Sequence, residues 1–242
     1  MGLYADLITA EAEIDRLKAE LDTARANRDA IKARLVLEGP DVSQFQGAID
    51  WTAPAIGFVF HRTSDGDVRD TSWQKSRVDG VGDIPLGVYH YARVASDGNR
   101  QRNGKSEAAM AVYFAESMGW GRAGDLPLAY DFETLNGQSP AKAAAHVTEF
   151  CAAYEYLKGH RPILYTNPAA WALVEAEVSN FFFAQLPLWI AHWGVTEPEV
   201  PDAWADWTFW QYTSTGTLPG ITGAVDLNRF NGTNAHLTAL RI

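Results

Sequence analysis

Beyond residue 40 the chain predicts an α/β fold, either a parallel barrel or an open sheet, preceded by a long amphipathic helix. Three observations carry this reading. Short apolar, β-branched or aromatic runs recur from residue 57 onward, the pattern of buried strands. Helix-period stretches separate the earlier runs, and alternating strand and helix builds a parallel sheet. After Trp193 the gaps shorten and the helical period fades, which points to a barrel that loses its late helices.

The elements follow in order. Residues 1–38 repeat every seven positions. One seam runs Leu7, Ile14, Leu21, Arg28, Leu35 and the other Leu3, Ala10, Leu17, Ala24, Ile31. These are the a and d positions of a coiled coil. Glu13 to Lys18 and Glu20 to Arg25 have the spacing that favours a parallel partner, Asp6 to Glu11 opposes it, and Arg28 interrupts the seam. Such a helix either associates with a second copy through residues 3–35, giving a homo-oligomer, or folds back as an ordinary amphipathic helix. The continuous two-sided seam favours association. Gly39-Pro40 is expected to end it, leaving residues 1–38 as an oligomerisation helix and 39–242 as the barrel. Strands are predicted at 57–62, 85–93, 126–133, 162–167, 186–193 and 208–213. Helices are predicted at 71–81, 105–120, 139–158 and 168–178.

Composition narrows the function. The 242 residues are 47% hydrophobic and 21% charged, as a packed core requires. No apolar run reaches 18 residues, so no membrane-spanning helix and no membrane insertion are expected. The start, Met-Gly-Leu-Tyr-Ala-Asp, has neither a basic leader nor an apolar stretch, so no secretory signal peptide is expected. One cysteine, Cys151, excludes an internal disulfide and reads as a small buried hydrophobe. A net charge of −10 argues against nucleic acid as a partner. Nine Trp and nine Tyr are available for the core or for stacking on sugars.

The predicted strands end in polar or aromatic residues one after another. They are Asp41, then His61 and Arg62, then Tyr89, His90 and Tyr91, then Asp131 and Glu133. Tyr165 and Asn167, His192 and Trp193, Gln211 and Tyr212 follow, and Asp226 opens the last apolar run. In (β/α) barrels these ends converge on one mouth that carries the chemistry. Asp131-Phe-Glu133 is the sharpest element, because residues two apart on a strand face one side. Repulsion and burial are expected to raise one pKa and leave the other low. That split gives the acid and the anion that glycoside hydrolysis uses. By itself, an Asp-x-Glu pair more often just presents two acids to solvent.

Context adds to the pair. Asp41-Val-Ser-Gln-Phe-Gln46-Gly47-Ala-Ile-Asp50-Trp51 resembles the opening motif of the glycoside hydrolase family 25 lysozymes. Thr63-Ser64-Asp65-Gly66, Gly87-Val-Tyr89-His90-Tyr91-Ala92, Asp131-Phe-Glu133 and Ile163-Leu-Tyr165-Thr166-Asn167 follow in family order. Leu188-Trp189-Ile190-Ala191, Trp210-Gln211-Tyr212-Thr213-Ser214 and Val225-Asp226-Leu227-Asn228-Arg229-Phe230 complete the set, so the resemblance spans residues 40–231. It implies an irregular, flattened TIM-like (β/α)5(β)3 barrel. It also implies cleavage of the β-1,4 bond between N-acetylmuramic acid and N-acetylglucosamine in peptidoglycan glycan strands, with no cofactor and no metal. On the matching positions Glu133 takes the general-acid role. Asp131 is the nucleophile, or steadies the substrate N-acetyl group if that group attacks. Asp41 and Asp226 support them, and Tyr89, Tyr91, Tyr165, Trp189, Gln211 and Arg62 contact substrate. Arg62 stands where the family often has Lys, so its contact there is open. No wall-binding repeat is expected after the barrel. With no signal peptide, the expected role is a phage or prophage lysin, made in the host cytoplasm and released to the wall. Two other readings use the same residues. The four acids could form an oxygen-ligand cluster for a metal-dependent hydrolase, or the barrel could be a non-catalytic, sugar-gripping module.

Overall fold

The computed structural model describes residues 11, 13–23, 37–53, 56–70, 80–94 and 103–242. The chain divides into two units, Met1–Val36 and Leu37–Ile242. In the first, residues 13–23 are helical. Ile14, Leu17 and Leu21, from the predicted seams, form one stripe and are each about half exposed. Beside the stripe Arg16 holds Glu13 at 2.6 Å and Glu20 at 2.8 Å, and Lys18 reaches Asp15 at 3.2 Å. Seam positions Leu3, Leu7, Ala10, Ala24, Arg28, Ile31 and Leu35 lie outside the described residues, as does most of the helix expected at 71–81.

Among the described residues, the second unit is built on nine strands. They are β1 (Leu37–Val42), β2 (Val59–Asp65), β3 (Val68–Arg69), β4 (Leu86–Tyr91) and β5 (Ala129–Asp131). β6 (Ile163–Thr166), β7 (Leu188–Ala191), β8 (Phe209–Gly216) and β9 (Val225–Phe230) follow. The sheet order is β1-β9-β8-β7-β6-β5-β4-β2-β3, and β1 also pairs with β2. That pairing closes eight strands into a barrel, with β3 a short hairpin appended to β2. β1, β2 and β4 to β8 run parallel, and β9 is antiparallel to both its neighbours. The irregular α/β barrel expected from sequence is therefore the fold.

Among the described residues, the helices with both ends in view are α1 (Gly104–Ser117), α2 (Pro140–Lys158), α3 (Pro168–Ala172), α4 (Asn180–Phe183) and α5 (Asn234–Leu240). Their starts are written in the sequence. Asn103, Ser139 and Asn167 cap α1, α2 and α3 through side-chain oxygens, and Pro140 and Pro168 occupy first-turn positions that need no N–H. Gly159, at φ 74°, ends α2 in the left-handed conformation that glycine adopts freely.

Three expectations need correction. Gly39-Pro40 does not end a helix; it lies inside β1, opposite Asn228 and Leu227. The unit boundary accordingly falls before Leu37, whose partner is Phe230. Gly39 is there because a β-carbon would overlap the Phe58 carbonyl. The single helix expected at 168–178 is broken into α3, a 3-10 turn at Glu175–Glu177, and α4. The chain bends so that Trp171, Val174 and Phe183 all enter the core, with the Trp171 and Phe183 rings edge-on at 5.0 Å. Helix α5 and the reversed direction of β9 were not anticipated.

Strand alternation sorts the core into two layers. Phe58, Phe60, Ile163, Trp189, Phe209 and Phe230 fill the barrel. Val59, Val88, Leu128, Leu164 and Leu188 face outward and pack with Ala108, Ala111, Val147 and Phe150 of α1 and α2. Inside, the Phe60 ring stacks on Trp189 at 4.4 Å and meets Phe209 edge-on at 5.2 Å. Phe60 fits only because Gly87 has no β-carbon to overlap its ring. Cys151, on α2, is fully buried in the outer layer, as expected of a small hydrophobe.

Candidate active site

The inward positions of the strands continue past the aromatic layer to the mouth, where they become polar. Asp41 comes from β1, Arg62 from β2, Tyr89 and Tyr91 from β4, and Asp131 from β5. Tyr165 comes from β6, Trp189 from β7, Gln211 from β8 and Asp226 from β9. Because β9 runs backwards, its first residues reach the mouth where the parallel strands end, and Asp226 pairs in register with Asp41. Glu133 stands two residues beyond β5. These ten residues, all predicted from sequence, line one cleft of about 210 Å³.

Ser43, Phe45 and Gln46 line it too and were missed. They lie on or beside a 3-10 turn, Gln44–Gln46, fastened by the Ser43 N–H donating to Gln46 Oε1 at 2.8 Å. The Ser-x-x-Gln spacing is the available signal for that turn. Phe45 is 76% exposed, an aromatic face on the rim, and Arg62 lies 5.5 Å from its centre.

Asp41 is the best-held carboxyl. Its Oδ2 accepts from Gln211 Nε2 at 2.9 Å and Asn228 Nδ2 at 2.8 Å. Asn228 in turn accepts from Trp189 Nε1 at 2.7 Å, and Gln211 accepts from the Tyr165 hydroxyl at 3.0 Å. Asn228, fully buried, was quoted in a motif but not assigned to the site. Burial pushes Asp41 up, while bonds from Asn228, Gln211 and Asp226 pull it down. Burial, the Asp41 charge and the hydrogen bond to Asp41 push Asp226 up to about 7. Both carboxyls of this pair are thus raised, and one proton is shared between them.

The expected high–low split between Asp131 and Glu133 is not found, because both are raised. Burial drives each upward, and the Asp41 charge adds to both. Asp131 goes further. It is 4% exposed, and its Oδ1 has no hydrogen-bond partner among the described residues. Glu133 is more open to solvent at the edge of the cleft, and the neighbouring Tyr165 hydroxyl, whose proton also reaches Gln211, holds it down.

Other predicted residues take narrower places. Arg62 Nε is committed to Asp70 at 2.9 Å, which fixes the guanidinium as a wall of the cleft. Trp189 is 1% exposed and forms the floor rather than an open stacking face. His61 and His90 do not reach the mouth, because strand alternation turns them outward. His61 Nδ1 meets the Arg62 carbonyl at 2.8 Å, and His90 faces Glu107 on α1. Tyr212 packs under Arg229, which lies 4.2 Å from its ring centre. A cation at the acids would meet the amide donors aimed at Asp41, and cations repel donors. Among the described residues no group of three or more His, Cys, Asp or Glu could hold a metal ion.

A second hollow of about 340 Å³ adjoins the cleft. Asn167, Pro168, Ala169, Ala191, His192 and Trp193 line it, and it shares Glu133 and Tyr165 with the cleft. Trp193 is 53% exposed and is steadied by its Nε1 donating to Gln211 Oε1 at 3.0 Å. A carboxyl with a raised pKa thus stands between an acid-lined pocket and a more apolar one. That arrangement can donate a proton to an atom bridging the two, while a neighbouring carboxyl faces the positive charge that develops.

The family model for glycosyl hydrolases family 25 matches residues 40–221. The chain belongs to glycosyl hydrolase family 25. It is 33% identical over 217 residues to Lysozyme M1 of Streptomyces globisporus, covering 84% of this chain and 71% of that protein. It is 28% identical over 211 residues to the N,O-diacetylmuramidase of Chalaropsis sp., covering 78% and 96%. Among solved structures, the bacterial lysozyme of Streptomyces coelicolor superposes with a TM-score of 0.74 at 31% identity, covering 84% and 96%. As a family 25 member the protein is a glycoside hydrolase. The matched segment ends before β9, so Asp226 and Asn228 join the family 25 cleft through the barrel's closure.

Proposed function

We propose that this family 25 chain hydrolyses the β-1,4 bond between N-acetylmuramic acid and N-acetylglucosamine in bacterial peptidoglycan, serving a phage or prophage as a lysin. The observation that carries the chemistry is the position of Glu133 between the two hollows. The names of the relatives, a lysozyme and a diacetylmuramidase, support the wall substrate. The lysin role rests on the sequence expectation alone.

In this reading Glu133, its pKa raised by partial desolvation in the cleft and by the Asp41 charge, donates to the glycosidic oxygen. Asp131, buried with one oxygen unpartnered among the described residues, acts in its ionised form and offers that oxygen to the sugar in the acid-lined cleft, either to its anomeric carbon or to its acetamide N–H. Asp41 and Asp226, sharing a proton, add negative potential. Tyr89, Tyr91, Tyr165 and Gln211 position the sugar over the Trp189 floor.

The leaving sugar then sits beyond Glu133, against Trp193. Trp193→Ala should lower kcat/KM on polymeric peptidoglycan about tenfold. It should leave cleavage of an aryl glycoside with a small leaving group within about twofold. Equal losses on both substrates would remove the leaving sugar from this hollow. The test of the main proposal is digestion of purified peptidoglycan, borohydride reduction and mass spectrometry. Reduced muramic acid supports it, reduced glucosamine overturns the bond assignment, and binding without new reducing ends would make the barrel a sugar-gripping module.

An oligomerisation role for the helix of the first unit, residues 1–36, is part of the proposal. Ile14, Leu17 and Leu21 expose an apolar stripe on a helix, which supports association with a second copy and avidity on a polymeric substrate. The intact chain is expected to run as an oligomer in light scattering at micromolar concentration and Leu17→Glu as a monomer. A monomeric wild type would end this part of the reading.

A further inference from the structure

A buried polar cluster lies on the outer side of β4 and β5, away from the cleft. Glu107 of α1 is fully buried at its centre. Its Oε1 meets His90 Nε2 at 2.7 Å and accepts from the Arg93 backbone N–H at 2.9 Å. His146 Nε2 of α2 approaches Oε2 at 2.9 Å, bent away from an in-line hydrogen bond. Each histidine has a second partner. Ser64 Oγ lies 2.8 Å from His90 Nδ1, and the Tyr130 hydroxyl lies 2.9 Å from His146 Nδ1. Phe150 closes the cluster, stacked on His90 at 5.5 Å. The helices approach closely enough for this because Gly104 has no β-carbon, which would overlap the His146 carbonyl.

Ser64, His90 and Glu107 have the spacing of a nucleophile, a base and its orienting acid. All three are fully buried, so no substrate can reach the hydroxyl. The cluster's reach into the cleft is mechanical. His90 lies between Tyr89 and Tyr91, and Tyr130 immediately precedes Asp131, so each outward anchor fixes inward neighbours on its own strand. Three successive amides leaving β4 are also tied. Ala92 N–H donates to the Asp131 carbonyl at 2.8 Å, Arg93 N–H to Glu107, and Val94 N–H to Asn136 Oδ1 at 3.0 Å. Arg93, so held, lies 4.7 Å from the centre of the Tyr91 ring and bonds Asp65.

We propose that Glu107 is a positioning residue for glycoside cleavage. Its buried carboxylate gathers β2, β4, β5 and both flanking helices, and thereby sets Tyr91 and Asp131 at the angle the reacting sugar needs. Burial alone would raise this carboxyl, but the His146 and His90 imidazoles beside it outweigh burial and bring it to about 2, so the anchor stays ionised. The inference rests on the glycosidic reading of the cleft.

The test compares wild type, Glu107→Gln and Phe183→Leu, a control that loosens the core around Trp171 and Trp204. Glutamine keeps the shape but replaces one acceptor oxygen with a donor. Glu107→Gln should lower kcat on peptidoglycan roughly 10- to 100-fold. KM should stay within about twofold, because sugar contacts on the other strands remain. Amide hydrogen exchange across residues 92–94 should quicken. Phe183→Leu, at matched loss of Tm, should retain kcat and show no change in exchange there. A loss of kcat no greater than in the control, or unchanged exchange at 92–94, would overturn the role. If wild type releases no reducing ends, the glycosidase reading fails, and the exchange comparison still decides whether Glu107 anchors the strand ends.

Discussion

Glu133→Gln should fold normally and lose about 10²–10⁴-fold in kcat on peptidoglycan. Glutamine is close in shape and still accepts the bond from Tyr165, but it has no acidic proton for a leaving oxygen. The loss should appear in kcat far more than in KM, because the interaction is made in the transition state. The pH profile carries the sign. Burial raises Glu133, so its proton persists above the usual carboxylate range, and wild-type activity should fall on the alkaline side as that proton leaves. Asp226, at about 7, titrates in the same region and contributes to that limb. The residual activity of Glu133→Gln should lack the Glu133 part of it. Near-normal turnover by this variant, measured as reducing ends released, would remove Glu133 from the general-acid role.

Asp131→Asn should move activity and stability in opposite directions. Activity should fall about 10²–10³-fold, the scale of removing one preorganised group that faces developing charge. Stability should rise. Asp131 is buried, one of its oxygens is unpartnered, and its pKa lies well above the ordinary value because of burial and the charges on Glu133 and Asp41. A carboxyl whose folded pKa is raised stabilises the fold fully below its unfolded value. It loses that contribution as pH rises through the folded one. The advantage of asparagine should therefore be smallest near pH 4 and grow toward pH 8. A gain of about 1 kcal/mol, or about 2–4 °C in Tm, is the usual scale for relieving such a site. A variant that loses activity but is less stable at pH 8 would show that Asp131 is held by contacts that favour its charge.

The opposite sign holds at Glu107. Its folded pKa, about 2, lies below the unfolded value, so its stabilising effect is complete above about pH 4.5 and lost as pH falls toward 2. The two carboxyls differ in their company. Glu107 gathers donors from two histidines and a backbone amide, whereas Asp131 faces a cleft lined with other acids.

Local signals in the sequence determined much of this. The alternation of strand and helix gave an α/β barrel, because periods of 2 and 3.6 follow from backbone geometry alone. Asn103, Ser139 and Gly159 marked the ends of α1 and α2 for the same local reason. Nine of the ten cleft residues were legible at the ends of the predicted strands, which share one mouth in a parallel barrel, and Trp189 came from the family 25 resemblance, which also separated the set from neighbours such as His61 and Tyr212. Direction around the barrel was not legible. Gly39-Pro40 looked like a helix stop, because nothing local tells that Asn228 and Leu227, nearly two hundred residues later, pair across from it. The reversal of β9, which brings Asp226 to Asp41 and Asn228 beneath it, arises from the same closure. Protonation, too, was decided by tertiary structure. Asp131-Phe-Glu133 promised one acid and one anion, but desolvation and the Asp41 charge come from the assembled barrel and raise both. His90 shows the limit from the other side. It sits at a strand end like its neighbours, and strand alternation with the approach of Glu107 sends it into the wall instead of the mouth.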